Sequence, residues 1–134
     1  MSFYRLNISS KSRTEFINIT KEISSLINKA GVLDGICLAY IPHTTCGITI
    51  NEAADPDVKS DMLKELNKIV PFNDDYRHYE GNSAAHIKTS LMGLNVSIPV
   101  NNGQLTLGTW QGIYLCEFDG PRNRNVFVKI LKEK

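Results

Sequence analysis

The order in which hydrophobic periodicity changes along the chain predicts an α+β fold: a single compact domain with an antiparallel-rich mixed β-sheet and about three helices. Three observations carry this expectation. Stretches of period two and period 3.6 follow one another as two strands, a helix, two strands, two helices and four strands, unlike the strict alternation of a doubly wound fold. Asn102-Gly103, between two apolar runs, is the strongest short hairpin signal in the chain. The 134 residues are enough for one domain with a real core, and no linker, repeat or low-complexity tract divides them, so residues 1–134 read as one unit.

Taken in order, Phe3, Arg5 and Asn7 and then Glu15 to Ile19 alternate as two strands around a polar turn, Ser9 to Arg13. Thr20 is placed as an N-cap, Ile23, Leu26, Ile27 and Ala30 follow at helical spacing, and Gly31 closes the helix. Gly35 to Ile41, almost wholly apolar, reads as a central strand buried on both faces. Gly47 to Asn51 alternates. Cys46 shares the parity of Ile48 and Ile50, which makes it a buried hydrophobe rather than a nucleophile and puts His43, Thr45, Thr49 and Asn51 on the other face.

Asp55 caps the next helix and Pro56 opens it, with Val58, Met62, Leu66 and Ile69 as its buried stripe and Pro71 as its stop. Phe72 to Gly81 is a polar loop of a length that is often functional. A third helix, capped by Asn82 or Ser83, runs from Ala84 to Met92 and closes at Gly93. Val96 to Val100 and Leu105 to Leu107 form the hairpin. Thr109 to Phe118 is a long strand-like run, Asp119-Gly120-Pro121 turns, and Asn125 to Leu131 returns as the last strand.

Composition excludes several function classes. A formal charge of +1 is too small for a general nucleic-acid or membrane-surface binder, so any anion site is local. Cys37, Cys46 and Cys116 are odd in number and include no CxxC pair, which fits reduced thiols and a cytoplasmic location. No apolar run approaches the roughly 18 residues of a membrane span, and no nucleotide-binding glycine loop occurs.

Two clusters carry the chemistry. His43 to Glu52, HTTCGITINE, packs an imidazole, hydroxyls including Thr44 and Thr45, a thiol, an amide and a carboxylate into ten residues. The other two histidines of the chain, His78 and His86, lie in the second cluster. Imidazole is the commonest ligand for zinc-like ions, and an open three-histidine site leaves a position for water. The positive end of a helix disfavours imidazolium, so His86 in a first turn is expected to be neutral, as a base or a metal ligand must be. Gly81 to Ala85, including Asn82 and Ser83, offers a helix N-terminus as a phosphate cradle, and Arg122 and Arg124 offer a bidentate clamp or, equally, a solvated turn. Glu117, between Cys116 and Phe118, is either a strand-end surface residue or a buried group paired with a cation or metal.

PHTTCGITINEAADPDV (Pro42 to Val58), EGNSAAHIK (Glu80 to Lys88), NGQLTLGTWQGI (Asn102 to Ile113) and CEFDGPRNR (Cys116 to Arg124) together resemble the YjbQ-like family, also called the secondary thiamine-phosphate synthase enzyme family. The resemblance covers most of the chain after residue 35. It implies a YjbQ-like fold, a homotrimer, and sites near subunit boundaries. His43, Asn51, Glu52, His78, His86, Gln111 and Glu117 fall on its motif positions. The acidic segment that some members carry before the third histidine is Gly81-Asn82-Ser83 here, and no acidic ligand is carried over from it.

The reaction in the family name joins an aminopyrimidine-methyl pyrophosphate to a thiazole phosphate and releases pyrophosphate. The resemblance therefore implies a small phosphorylated substrate and a divalent metal, zinc-like or magnesium, with His43, His78, His86 and Glu117 as its candidate ligands. His43, Glu52 and His86 are the candidate catalytic groups. Thr44, Thr45, Asn51, Asn82, Ser83, Gln111, Arg122 and Arg124 are the candidate substrate contacts, and Trp110 or Tyr79 could stack on a flat ring. The alternatives are a metal-dependent hydrolase with a three-histidine site and a non-catalytic trimer that binds metal or phosphate.

Overall fold

The structure, a computed structural model, describes residues 3–134. The elements follow in the expected order: β1 (Phe3–Ser9), β2 (Glu15–Asn18), α1 (Thr20–Ala30), β3 (Gly35–Tyr40), β4 (Cys46–Glu52), α2 (Pro56–Ile69), α3 (Ser83–Met92), β5 (Asn95–Asn101), β6 (Gln104–Leu105), β7 (Gln111–Glu117) and β8 (Asn123–Lys132). The strands are shared between two sheets, β1-β8-β3-β5-β6 and β2-β7-β4, and every pairing is antiparallel.

Local chemistry sets most boundaries. The Asp55 carboxylate accepts from the Asp57 N–H at 2.9 Å and Pro56 opens α2. Gly31, at φ 66°, closes α1 in the left-handed conformation that glycine adopts without steric cost. Asn102 and Gly103 both have positive φ, 52° and 76°, as the two-residue β5–β6 hairpin requires. Thr20 is not the cap of α1 but its first helical residue. Its hydroxyl is engaged elsewhere, donating to Asn18 Oδ1 at 2.6 Å and accepting from the Ile113 N–H at 2.9 Å.

The two sheets enclose the main core. Cys37, Ala39, Ile98, Val100, Val126, Val128 and Ile130 of the larger sheet meet Cys46, Ile48, Ile113 and Leu115 of the smaller, with Ile23 and Ile27 of α1 beside them. A second core lies on the other side of the smaller sheet, where Phe16, Tyr114, Cys116 and Phe118 receive Ala85 and the half-buried Met62, Leu63, Leu66 and Met92 of α2 and α3. The layers are therefore sheet, sheet, helices. All three thiols are free and buried, as expected, and burial pushes Cys37 up to about 11 and Cys46 to about 12.

Two expectations about faces are corrected. β3 is central in its sheet but buried on one face only. On the other, Ile36 and Tyr40 are 48% and 43% exposed, because no element among the described residues covers the outside of the larger sheet. The strand buried on both faces is β7, which lies between the two cores. The second face of β4 is likewise no open site. Gly47 is packed so closely against α3 that a Cβ there would stand 2.9 Å from the Gly93 carbonyl oxygen, and Thr49 lies half-buried on that side.

A histidine cleft and a buried ion pair

α3 places His86 in its first turn, and the loop from Phe72 returns His78 to it, with ring centroids 5.6 Å apart and planes at 85°. Such an edge-to-face arrangement leaves both imidazoles open to an incoming group. His86 is the shared wall of two clefts. One, about 460 Å³, is lined by Tyr76, His78, Ser83 and Ile87. The other, about 610 Å³, is lined by His43, Thr44, Thr89, Ser90, Gly93, Leu94 and Asn95.

His43 stands differently from the other two. Its Nε2 accepts a hydrogen bond from the Asn125 backbone N–H at 2.9 Å, which fixes the neutral ring with its proton on Nδ1. Burial holds this imidazole below its ordinary value, and the Arg124 charge adds to the effect; Glu117 opposes it and Arg122 reinforces it. While that bond stands the lone pair of Nε2 is occupied and the protonated Nδ1 has none, so the ring offers no lone pair to a metal or a proton.

Arg124 is corrected most, and Glu117 takes the second of its two readings, a buried group paired with a cation. Neither faces solvent: Glu117 is fully buried and Arg124 is 3% exposed. They pair with each other bidentately through one guanidinium edge, Nε donating at 2.8 Å to Oε1 and Nη2 donating to Oε2. The Ser10 hydroxyl donates to Glu117 at 2.6 Å, the Asp119 N–H at 3.0 Å, and Arg124 donates to the buried Thr45 hydroxyl at 2.9 Å. Burial alone would raise the Glu117 carboxyl, but the hydrogen bonds from Arg124, Ser10 and Asp119, with the Arg124 charge, bring it below its usual value. Glu117 is thus committed to a guanidinium instead of a metal. Arg124 Nε and Nη2 are thereby taken up within the protein, and the Thr45 hydroxyl accepts from Nη2.

The remaining candidates divide by place. Asn82 occupies the cap position of α3 but makes no capping bond. Its Nδ2 donates instead to Asp119 Oδ2 at 2.8 Å, tying the helix start to the β7–β8 turn. Arg122 also turns to Asp119, at 3.0 Å, with half its side chain in solvent. Ser83 and Thr44 lie in the two clefts. Asn51, Glu52 and Gln111 do not join them. Cys46 pairs with Glu117 and Glu52 with Gln111 at opposite ends of the β4–β7 ladder. Six residues of strand separate the two ends by about 20 Å. Trp110, 65% exposed, lies at the Gln111 end, and Tyr79 is 95% exposed in the histidine loop.

The metal set expected from the resemblance is therefore not assembled by one chain. Among the described residues no group of three or more His, Cys, Asp or Glu side chains is placed to hold an ion. His78 and His86 supply donors of the right chemistry but only two of the four that zinc takes. Thr89, Ser90 and Asn95 line the larger cleft without having been singled out in the sequence. Thr89 and Ser90 follow His86 at i+3 and i+4, so helical spacing alone points to them. Asn95 arrives through its pairing with Tyr40, which no local pattern announces.

Comparison with known proteins gives a consistent picture. The family model described as UPF0047 protein YjbQ-like matches residues 4–133. The UPF0047 protein YugU of Bacillus subtilis is 50% identical over 127 residues, which are 94% of this chain and 96% of that one. A UPF0047 protein of Methanocaldococcus jannaschii is 49% identical over 131 residues, 98% and 95% of the two chains. Among solved structures, an uncharacterized YjbQ/UPF0047 family protein of Clostridium acetobutylicum superposes with a TM-score of 0.94 at 52% identity, covering 96% of this chain and 99% of its own. A YjbQ-like protein of unknown function from Sulfolobus solfataricus superposes with a TM-score of 0.93 at 32% identity, covering 98% and 96%.

Proposed function

The chain belongs to the UPF0047 YjbQ-like family, and from that premise we propose that it is an enzyme acting on a phosphorylated heterocyclic substrate at the His78–His86 clefts, with a thiamine-phosphate synthase-like transfer as its reaction. The observation that carries the reading is the pair of imidazoles 5.6 Å apart at the start of α3, each ring accessible from a cleft. In that transfer the thiazole nitrogen bonds to the methylene carbon of the pyrimidine as the carbon–oxygen bond to pyrophosphate breaks. The departing anion needs donors. The α3 N-terminus, free of a side-chain cap, lies beside Ser83 and His86, and Arg122 stands on the adjoining turn. The larger cleft offers neutral hydroxyl and amide groups, suited to an uncharged ring. A divalent ion would stabilise the leaving charge, with His78 and His86 as its protein ligands from one chain. Glu52, at the end of the β4–β7 ladder opposite Cys46 and Glu117, lines neither cleft and takes no part within the same chain.

Homotrimer formation belongs to the same proposal. The uncovered face of the larger sheet carries Phe3, Ile36, Tyr40 and Leu131, all exposed, and runs up to Asn95 and Asn125 beside His43. A neighbouring copy on that face would close the larger cleft. The test is His86→Ala assayed with pyrimidine pyrophosphate, thiazole phosphate and a divalent metal. Turnover should fall by about a hundredfold or more. An unchanged rate, or no product from the wild type, replaces this reading by the non-catalytic binding protein. The hydrogen bond that occupies His43 Nε2 favours that second reading.

A further inference from the structure

The loop between α2 and α3 carries His78 and is tied down at very few points. Among the described residues, the hydrogen bonds of residues 72–81 stay within the loop or reach only Pro71: Tyr76 N–H to Asp74, Tyr76 OH to Pro71, Asp75 N–H to the Asp74 side chain, and Gly81 N–H to His78. At its far end Asn82 holds Asp119. At its near end there is Phe72.

The Arg13 guanidinium lies 3.7 Å from the centre of the Phe72 ring and the Lys88 ammonium 3.8 Å from it. A ring has one such site on each face, so the two cations take opposite faces. Lys88 is fully buried, and neither of the ion pairs among the described residues includes it. Its one hydrogen-bond acceptor is Asn67 Oδ1 on α2, at 2.6 Å. An apolar side chain would fill this helix position with less desolvation, whereas a buried ammonium is retained at a cost. What the ammonium has in return is the ring of Phe72, in a desolvated setting where cation–π attraction is strongest.

We propose that Phe72, gripped between Arg13 and Lys88, is the anchor that positions the 73–81 loop and thereby sets His78 against His86, with Lys88 as a positioning residue. The consequence for function rests on the reading of His78 and His86 as the working pair. The anchor itself does not. Arg13 from the β1–β2 turn, Asn67 from α2 and Phe72 from the loop converge on a residue two positions after His86 on the same helix, so the fixed and mobile halves of the pair share one clamp.

The test uses trypsin cleavage after the exposed Arg77, followed by mass spectrometry, together with the proton–proton contact between the two imidazoles seen by NMR. Three variants are compared: Lys88→Met, pentafluorophenylalanine at position 72, and Phe72→Tyr. Lys88→Met removes the charge while filling the site. The fluorinated ring keeps the shape of Phe72 and loses the electron-rich face. Both should be cut at Arg77 about tenfold faster than wild type and lose the imidazole contact, and Phe72→Tyr should behave as wild type. Wild-type cutting in the fluorinated protein, or in Lys88→Met, overturns the anchor. A loosened loop with an unchanged rate of thiamine-phosphate formation supports the anchor and removes the catalytic reading instead.

Discussion

Two polar regions lie within one end of this molecule and behave as opposites. At Glu117 and Arg124 both side chains are buried, and the carboxylate oxygens, Nε and Nη2 are answered by Ser10, Thr45, Asp119 or the partner ion. At His78 and His86, a few residues along the neighbouring helix and loop, the rings face each other across open clefts and are answered by little else. Both regions fall on motif positions and both read as chemistry in the sequence. The difference teaches that a polar residue becomes available for a ligand only where the fold leaves it unmatched. The buried pair underlies His43, whose neutral state it helps to fix, and so serves the clefts from beneath.

If that contrast is right, the largest effect should come from unbalancing the closed region. Glu117→Gln leaves the Arg124 guanidinium buried without its counter-charge, and urea unfolding should register a loss of about 3–5 kcal/mol. The wild type should show the same dependence on protons. Because the folded Glu117 carboxyl lies below its ordinary value of 4.5, its contribution is present above that value and lost as pH falls through the folded one. Next in size, His86→Ala should reduce turnover about a hundredfold, while its unfolding midpoint stays close to wild type, since alanine suits a first helical turn. A large loss of stability in that variant would erase the distinction between the two regions.

A smaller effect separates Lys88 from both. Burial, and then the Arg13 charge, lowers its ammonium from 10.5 to about 8. Between those values the unfolded chain binds the proton and the native one does not, so stability rises with pH. From about pH 9 the buried thiols act with the opposite sign, since the native state keeps protons that the unfolded thiols lose. The thiols are common to both proteins, so the stability of the wild type minus that of Lys88→Met should rise between about pH 8 and 10, at no more than about 1.4 kcal/mol per unit. The smallest expected effect is the His43 titration followed by NMR, whose midpoint should lie below 6.5. A midpoint above it would mean that the Asn125 N–H is not held by Nε2.

Much of the fold was legible because its signals are local. The Asp55-Pro56 entry, the Gly31 exit and the Asn102-Gly103 hairpin each act over a few residues, and each stands where its chemistry puts it. Coverage was not legible. Gly35 to Tyr40 and Gln111 to Glu117 are both apolar enough to be buried on two faces, and only the sheet order decides that β7 is and β3 is not. The candidate site was legible at His78, His86, Ser83 and Thr44. Burial with a cation was one of the two readings of Glu117, but its partner was not legible, and Arg124 and Thr45 were misread, because their partnership spans 79 residues of sequence. The separation of Gln111 from Glu117 was available in principle, since six residues of one strand cannot converge on a small ligand.

One topological detail sets the order of events when the protein is made. β8, the last strand in the sequence, lies between β1 and β3 in the larger sheet, pairing with β1 from Phe3 to Ser9 and with β3 from Gly35 to Tyr40. Until residues 123–132 leave the ribosome, β1 has no neighbour and β3 lacks one of its two. Val126, Val128 and Ile130 of the main core are then still missing. Pairings of such long range are slow and expose unmatched strand edges while they wait. A nascent chain stalled before Asn123 should therefore remain protease-sensitive in β1 however long it is held, and gain protection only once synthesis resumes and residues 123–132 emerge.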